Sequence, residues 1–263
     1  MIAILGTGKM GEALLSGLLR AGYSTADVIA VVRRPERADE LRASYGVLVL
    51  SVTEAAEKAD TLVVAVKPQD MGRMLEEISD LARSQLVISI AAGITTGYIE
   101  RHLAAGVPVV RVMSNTPALV DEAMSVISAG SHASEEHLRH AEELLAPLGK
   151  VIRIPESQQD AATALSGSGP AYVFYLVEAM VDAGILLGMP RRTALEMVTQ
   201  TVYGAATMLR DSGEHPVILR DAVTSPAGTT IAAVRELEKH GVRAAFLAAI
   251  EAARDRGREL GGA

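Results

Sequence analysis

"ILGTGKMGEALLSGLL", residues 4–19, places Gly6, Gly8 and Gly11 in G-x-G-x-x-G spacing between an apolar run at 2–5 and a helical pattern reaching about residue 21. The setting carries more weight than the spacing. A strand enters the cluster, a helix leaves it, and a parallel-sheet pattern follows. Each glycine then has its own task. Gly6 permits the tight turn, Gly8 lets backbone approach a pyrophosphate, and Gly11 lets the helix pack close to the strand. The helix start offers that anion amide donors and the positive end of the helix dipole.

Downstream, β-branched runs at 28–32, 47–50, 61–66, 86–91, 107–113, 123–128 and 150–154 alternate with helical patterns near 36–44, 53–59, 70–83, 96–104 and 134–147. This predicts a parallel sheet covered on both faces, an α/β Rossmann-type dinucleotide-binding domain. Past residue 155 the strand-like runs stop, and alanine-rich helical patterns occupy roughly 158–188, 191–212, 216–222, 230–240 and 242–260. The expected division is an α/β domain over 1–155 and an all-α domain over 156–263. The apolar run 171–189 has the length of a membrane span, but Glu178 and Asp182 on it would be costly in lipid, so it reads as a helix buried in protein.

Composition narrows the function. A formal net charge of −7 argues against a nucleic-acid partner, which would draw on clustered Lys and Arg. The absence of cysteine removes disulfides, thiol nucleophiles and cysteine-zinc sites together, and fits a reducing compartment such as the cytoplasm. The first residues lack the basic start and long apolar run of a secretory signal.

Cofactor choice should show at the end of the second strand. A site preferring NAD places Asp or Glu there to hold the ribose 2′-hydroxyl. Here the strand ends in Arg33–Arg34–Pro35, and arginine grips a 2′-phosphate in a bidentate fork, favouring NADP(H). Glu36 keeps NAD(H) possible. In "AVKPQD" (65–70), Lys67 stands at a strand's C-terminal edge, within reach of ribose or phosphate, and Pro68 fixes the chain's exit. In "IAAGIT" (90–95), the small residues let a nicotinamide ribose lie close to backbone.

The helical half holds two clusters of hydroxyls at helix starts. One is "ALSGSGPAYVF" (164–174), which contains Ser168; the other is "DAVTSPAGTT" (221–230), with Thr224, Ser225, Thr229 and Thr230. Helix starts bind carboxylates, and two beside a dinucleotide fold point to a substrate site. Neither has a strong acid or base among its hydroxyls. His137 and His140 have the helical spacing of a metal pair, but they sit in "EEHLRHAEE", a charged solvent face.

Taken together, "GTGKMG", "AVKPQ", "VRVMSNTP", "SGSGPAY", "DAGILLGMPR" and "VTSPAGTT" closely resemble pyrroline-5-carboxylate reductase, in order and over nearly the whole chain. The resemblance implies NAD(P)H-dependent reduction of 1-pyrroline-5-carboxylate to L-proline. It also implies a helical dimerisation domain, with subunits intertwined through the long helix into a homodimer; rings of five dimers, a decamer, occur in the family. The substrate would lie between the nicotinamide of one subunit and helices partly from its partner. Carried over by position, cofactor contacts fall on Leu5, Gly6, Thr7, Gly8, Lys9, Met10 and Gly11, on Arg33 and Arg34, on Ala65, Val66, Lys67 and Pro68, and on Ala91 and Ala92. Substrate contacts fall on Ser168 and on Val223, Thr224, Ser225, Gly228, Thr229 and Thr230, with the Thr230 hydroxyl beside the ring nitrogen. Two positions depart from the family's habit. Ala227 adds a Cβ where glycine is usual, which speaks against a positive φ there. Ser114 replaces a proline before Asn115–Thr116–Pro117, which should loosen that loop.

A protonated cyclic imine is already electrophilic, so its reduction needs positioning and electrostatics more than a strong general acid. Other readings stay open at this point: a related imine or β-hydroxyacid reductase, or an NADP-binding sensor without turnover. A hydroxyacid enzyme would want a lysine on the first long helix of its second domain, and 158–188 contains none.

Overall fold

The computed structural model describes residues 1–261; the last two residues of the expected second domain, 262–263, lie outside the described residues. The chain forms two compact units, one comprising Met1–Ser168 with the tail from Ala253 onward, the other Gly169–Ala252.

The first unit is built on an eight-stranded sheet in the order β3-β2-β1-β4-β5-β6-β7-β8. The strands are β1 (Ile2–Leu5), β2 (Val28–Val31), β3 (Leu48–Val49), β4 (Thr61–Val64), β5 (Leu86–Ser89), β6 (Val109–Met113), β7 (Ala123–Ala129) and β8 (Gly149–Arg153). Helices α1 (Lys9–Arg20), α2 (Pro35–Tyr45), α3 (Val52–Lys58), α4 (Met71–Ile78), α5 (Thr96–His102) and α6 (Glu135–Leu145) connect them. Side chains alternate across the sheet. Ile2, Ile4, Val28, Ala30 and Val63 pack with Leu14, Leu15 and Leu18 of α1 and Leu144 of α6. Ala3, Leu5, Ile29, Val31 and Leu62 pack with Ala55 of α3, Leu75 of α4 and Ile99 of α5 on the other face. Apolar side chains on both sides explain why the strands read as continuous apolar runs.

One expectation needs correcting: the sheet is not parallel throughout. β7 runs antiparallel to β6, and β8 parallel to β7. The link between β6 and β7 holds only a 3₁₀ turn, Thr116–Val120. That is too short for the helical crossover that a parallel pair needs.

Strand order reverses at β1, between β2 and β4. At such a switch point the loops leaving the C-terminal strand ends diverge and leave a crevice. Helix ends sharpen the local geometry. Pro35 opens α2 at a position where its missing N–H costs nothing. Ser51 and Glu54 form a reciprocal capping box on α3.

Beyond β8, α7 (Gln159–Ala162) leads through a π-helical turn, Thr163–Gly167, into α8. The second unit contains α8 (Gly169–Leu186), α9 (Arg191–Ser212), α10 (Pro216–Ala222), α11 (Thr229–Lys239) and the first part of α12 (Val242–Gly261). α8 and α9 approach closely: a Cβ on Gly184 would lie 2.9 Å from that of Ala194. Asp182, read as a cost in lipid, pairs with Arg191 at 3.1 Å. The reading of 171–189 as a buried helix does not hold within one chain. On α8 Val181 is buried, while Phe174, Tyr175 and Leu186 are exposed.

Candidate active site

The crevice at the switch point is a cleft of about 620 Å³ lined by Gly6, Thr7 and Gly8 after β1, Arg33 and Arg34 after β2, and Ala65, Val66 and Lys67 after β4. The three glycines divide the labour as their spacing predicts. Gly6 has φ of +95°, and a Cβ there would lie 2.7 Å from Val66 Cγ1. A Cβ on Gly11 would lie 2.9 Å from the Gly6 carbonyl oxygen, so α1 seats against the turn. Around Gly8 there is open space. Gly8 caps α1 without a side chain, which leaves the amides of Lys9, Met10 and Gly11 without intrahelical acceptors. A helix N-terminus with bare amides and room above it fits a pyrophosphate.

Other positions in the loop serve the frame. The Leu5 side chain is fully buried, so only backbone is available to a ligand there. Thr7 donates its hydroxyl to the Ile4 carbonyl at 3.2 Å, and its amide bonds the Val31 carbonyl at 3.0 Å, stitching β1 to β2.

The ribose end is basic. Arg33 pairs with Asp70 at 2.8 Å. Arg37, one turn into α2, also lines the cleft and pairs with Glu40 and Glu12. The Glu40 hydrogen bond, with Glu12 behind it, raises the Arg37 pKa above its ordinary value. Glu12 also accepts from the Tyr45 hydroxyl at 3.1 Å, and burial, then that bond, raises the Tyr45 pKa. Arg73 lines the same rim and faces Asp70 at 3.7 Å. Among these four arginines, Arg34 is the one with no carboxylate partner among the described residues, and it stands at the α2 N-cap. Sequence reasoning missed Arg37, Asp70 and Arg73. The signal for Arg37 was present: it follows Arg34 at helical spacing.

A second cavity of about 690 Å³ also takes lining from the segment after β4. It is lined by Pro68 and Gln69, by Ala92–Thr95 and Tyr98 around the start of α5, by Asp160, Thr163 and Ser168, and by Ala253, Arg256 and Gly257 of α12. The first unit therefore brings Ala92 and Ser168, far apart in sequence, to one chamber. Ala91 is buried beneath, its amide facing Ser89 Oγ at 3.4 Å. Gly167 is needed for close packing, since a Cβ there would lie 2.5 Å from Met113 Cε. Asn115 donates to the Ser166 carbonyl at 3.1 Å and accepts from the Met124 amide at 3.0 Å. The Ser114 departure does not leave its loop untied. Ser125 of β7 donates to the Ser114 hydroxyl at 2.9 Å.

In the second unit the turn 223–230 ends on α11, whose N-cap Gly228 lends no side chain. The amides at Thr229, Thr230 and Ile231 are then the bare donors of a helix start. Thr230 is half-buried and Thr229 exposed. The Thr224 hydroxyl donates to the Arg220 carbonyl at 2.6 Å, which leaves its lone pairs as acceptors. The expectation against a positive φ at Ala227 fails: the residue sits at φ of +55°. The Gly228 amide closes the turn on the Ser225 carbonyl at 3.1 Å, and this closure holds the left-handed step despite the Cβ.

The histidine pair has other employment. His137 Nδ1 accepts from the Ser134 amide at 2.9 Å as part of the α6 cap, and His140 Nε2 lies 3.0 Å from the Thr61 hydroxyl.

Comparison with known proteins matches residues 156–260 to the family model for pyrroline-5-carboxylate reductase dimerisation. Residues 1–93 match a model described as NADP oxidoreductase, coenzyme F420-dependent. A pyrroline-5-carboxylate reductase of Corynebacterium melassecola is 44% identical over 265 residues, covering 99% of this chain and 98% of the relative. The structure of a pyrroline-5-carboxylate reductase from Coxiella burnetii superposes with TM-score 0.94 at 36% identity, covering 98% of this chain and 97% of that one. The Plasmodium falciparum pyrroline carboxylate reductase structure with NADP bound superposes with TM-score 0.90 at 29% identity, covering 99% and 97%.

Proposed function

The chain belongs to the pyrroline-5-carboxylate reductase family and reduces 1-pyrroline-5-carboxylate to L-proline, the last step of proline biosynthesis; we propose that NADPH, in preference to NADH, supplies the hydride. The observation that carries the preference is Arg34, a cation without a carboxylate partner at the end of β2 where an NAD site would place an acid. Arg37 and Arg33 back it with charge already partly neutralised by Glu12, Glu40 and Asp70. The α1 amides and Gly8 hold the pyrophosphate. Ala92 and its neighbours in the second cavity receive the nicotinamide end, which supplies only a hydride there.

The protein's own part is placement. The substrate carboxylate is held by the α11 amides and the hydroxyls of Thr224, Ser225 and Thr229. The Thr230 hydroxyl bonds the ring nitrogen and keeps its proton in place. Nothing stronger is needed, because the protonated imine carbon is electrophilic before the protein acts on it. The working form is a cytoplasmic homodimer, with no nucleic-acid or membrane partner.

The test is direct. Purified protein given pyrroline-5-carboxylate should consume NADPH, followed as the loss of reduced-nicotinamide absorbance, and use NADH less well. Arg34→Glu should raise the KM for NADPH about tenfold or more, the scale of a lost charge-assisted fork, and change that for NADH little. An unchanged NADPH-to-NADH preference would remove Arg34 as the reader of the 2′-phosphate.

A further inference from the structure

β6 carries a charged side chain that is buried within a run of valines. Arg111 lies among Val109, Val110 and Val112, and its side chain is 5% exposed. It reaches Glu156 Oε1 at 3.3 Å and Asp160 Oδ1 at 3.5 Å, two carboxylates at i and i+4 spacing. Glu156 does more than pair. It accepts from the Thr96 amide at 2.7 Å and from the Thr96 hydroxyl at 2.6 Å, at the first residue of α5. Asp160 is a wall of the second cavity, and its other oxygen lies 4.0 Å from Arg258 Nε on α12.

These bonds join two segments that both line one chamber. Thr95 and Tyr98, on either side of Thr96, line it from the start of α5, while Asp160, Thr163 and Ser168 line it from α7 and the turn that follows. Arg111 and Glu156 tie those segments together. We infer that Arg111, with Glu156 and Asp160, sets the width of the cavity in which hydride transfer takes place, and that these are positioning residues for the reaction. The physical reason is the fork. A planar guanidinium with fixed donor directions holds two carboxylates at a set separation, which a flexible ammonium cannot. Displacement of about 1 Å at a reacting centre is enough to cost up to about a hundredfold in rate. The inference rests on the reading of the second cavity as the nicotinamide end.

The test compares wild type, Arg111→Lys and Asp160→Asn in the full-length protein. Arg111→Lys keeps the charge but loses the fork. The expected result for both variants is a kcat lower by about tenfold or more, with the KM for NADPH within about twofold of wild type. The NADPH value should hold because the 2′-phosphate and pyrophosphate positions lie in the other cleft, which none of these residues lines. A purely structural bridge would lower thermal stability and leave kcat per folded molecule intact, and that result would overturn the inference. So would a rise in the NADPH KM equal to the fall in kcat. Should Arg111→Lys fail to fold, Asp160→Asn, on the cavity wall and 30% exposed, carries the same test. Wild-type protein with no pyrroline-5-carboxylate-dependent NADPH oxidation would instead defeat the functional reading itself, a distinguishable outcome.

Discussion

Ala227 shows how one residue departs from its sequence reading. A left-handed backbone costs an L-residue about 1–2 kcal/mol, and Ala227 adopts φ of +55° within the turn proposed to bind substrate. Ala227→Gly would relieve that strain and give back part of the gain as unfolded-chain entropy. The expected net stabilisation is about 0.5–1 kcal/mol, read as a higher urea midpoint with unchanged slope. A destabilised variant would mean that the alanine methyl makes contacts worth more than the strain. Thr230 invites the opposite kind of change. Thr230→Val keeps shape and removes the hydroxyl, so kcat should fall about tenfold or more while the KM for NADPH stays near wild type. Intact kcat would exclude the hydroxyl from the reacting centre. The glycine turn, the Arg33–Arg34 end and the hydroxyl turn were all legible as residues. Arg111 was not, because a lone arginine inside a valine run declares no partner until the chain folds Glu156 and Asp160 against it.

The elements came through the sequence better than their directions. All eight strands lie where β-branched runs predict them; the signal is clearest for β1, β2, β4 and β5, buried at every residue, because a strand covered on both faces reads as a near-continuous apolar run. The reversal of β7 escaped, since it depends on the length of a connection and not on the composition of a strand. Helix ends explain more than periodicity did. His137 sits at the third residue of α6 and completes a reciprocal cap with Ser134. Ser134→Ala should therefore cost about 1 kcal/mol, measured by thermal or urea unfolding. Further along α6, Arg153 bonds Glu142 at 2.6 Å and holds its carboxyl below the ordinary value, the hydrogen bond being the main cause. A depressed folded value stabilises the fold above the unfolded carboxylate pKa, about 4.3, and that contribution is lost as pH falls through the folded value. Wild type should therefore melt above Glu142→Gln at neutral pH, and the two should converge in acid. A gap that persists below the folded value would assign the difference to packing instead of charge.

On the scale of the whole molecule the helical unit poses a problem of cohesion. Its helices bury Val181 and Ala194, while Phe174 is 66% exposed, Leu186 89% and Leu187 81%. Ordering a segment of this length costs on the order of 1–2 kcal/mol per residue in backbone entropy, and so small a core cannot offset that. Residues 156–260 match a dimerisation domain, and a second copy, as in the proposed homodimer, would supply the missing burial. On that proposal the apolar run that resembles a membrane span would form the seam between the two copies. Folding linked to association makes stability depend on concentration. A hundredfold increase in protein is worth about 2.7 kcal/mol to a form stabilised by partner binding. In a homodimer two chains share that gain, so the melting midpoint rises by about 3–5 °C. Phe174→Glu places a charge in the seam and should abolish the concentration dependence, leaving monomers with reduced helical signal by sedimentation and circular dichroism. A midpoint flat across that range, with Phe174→Glu still a fully helical dimer, would show that the exposed apolar face is not what holds two chains together.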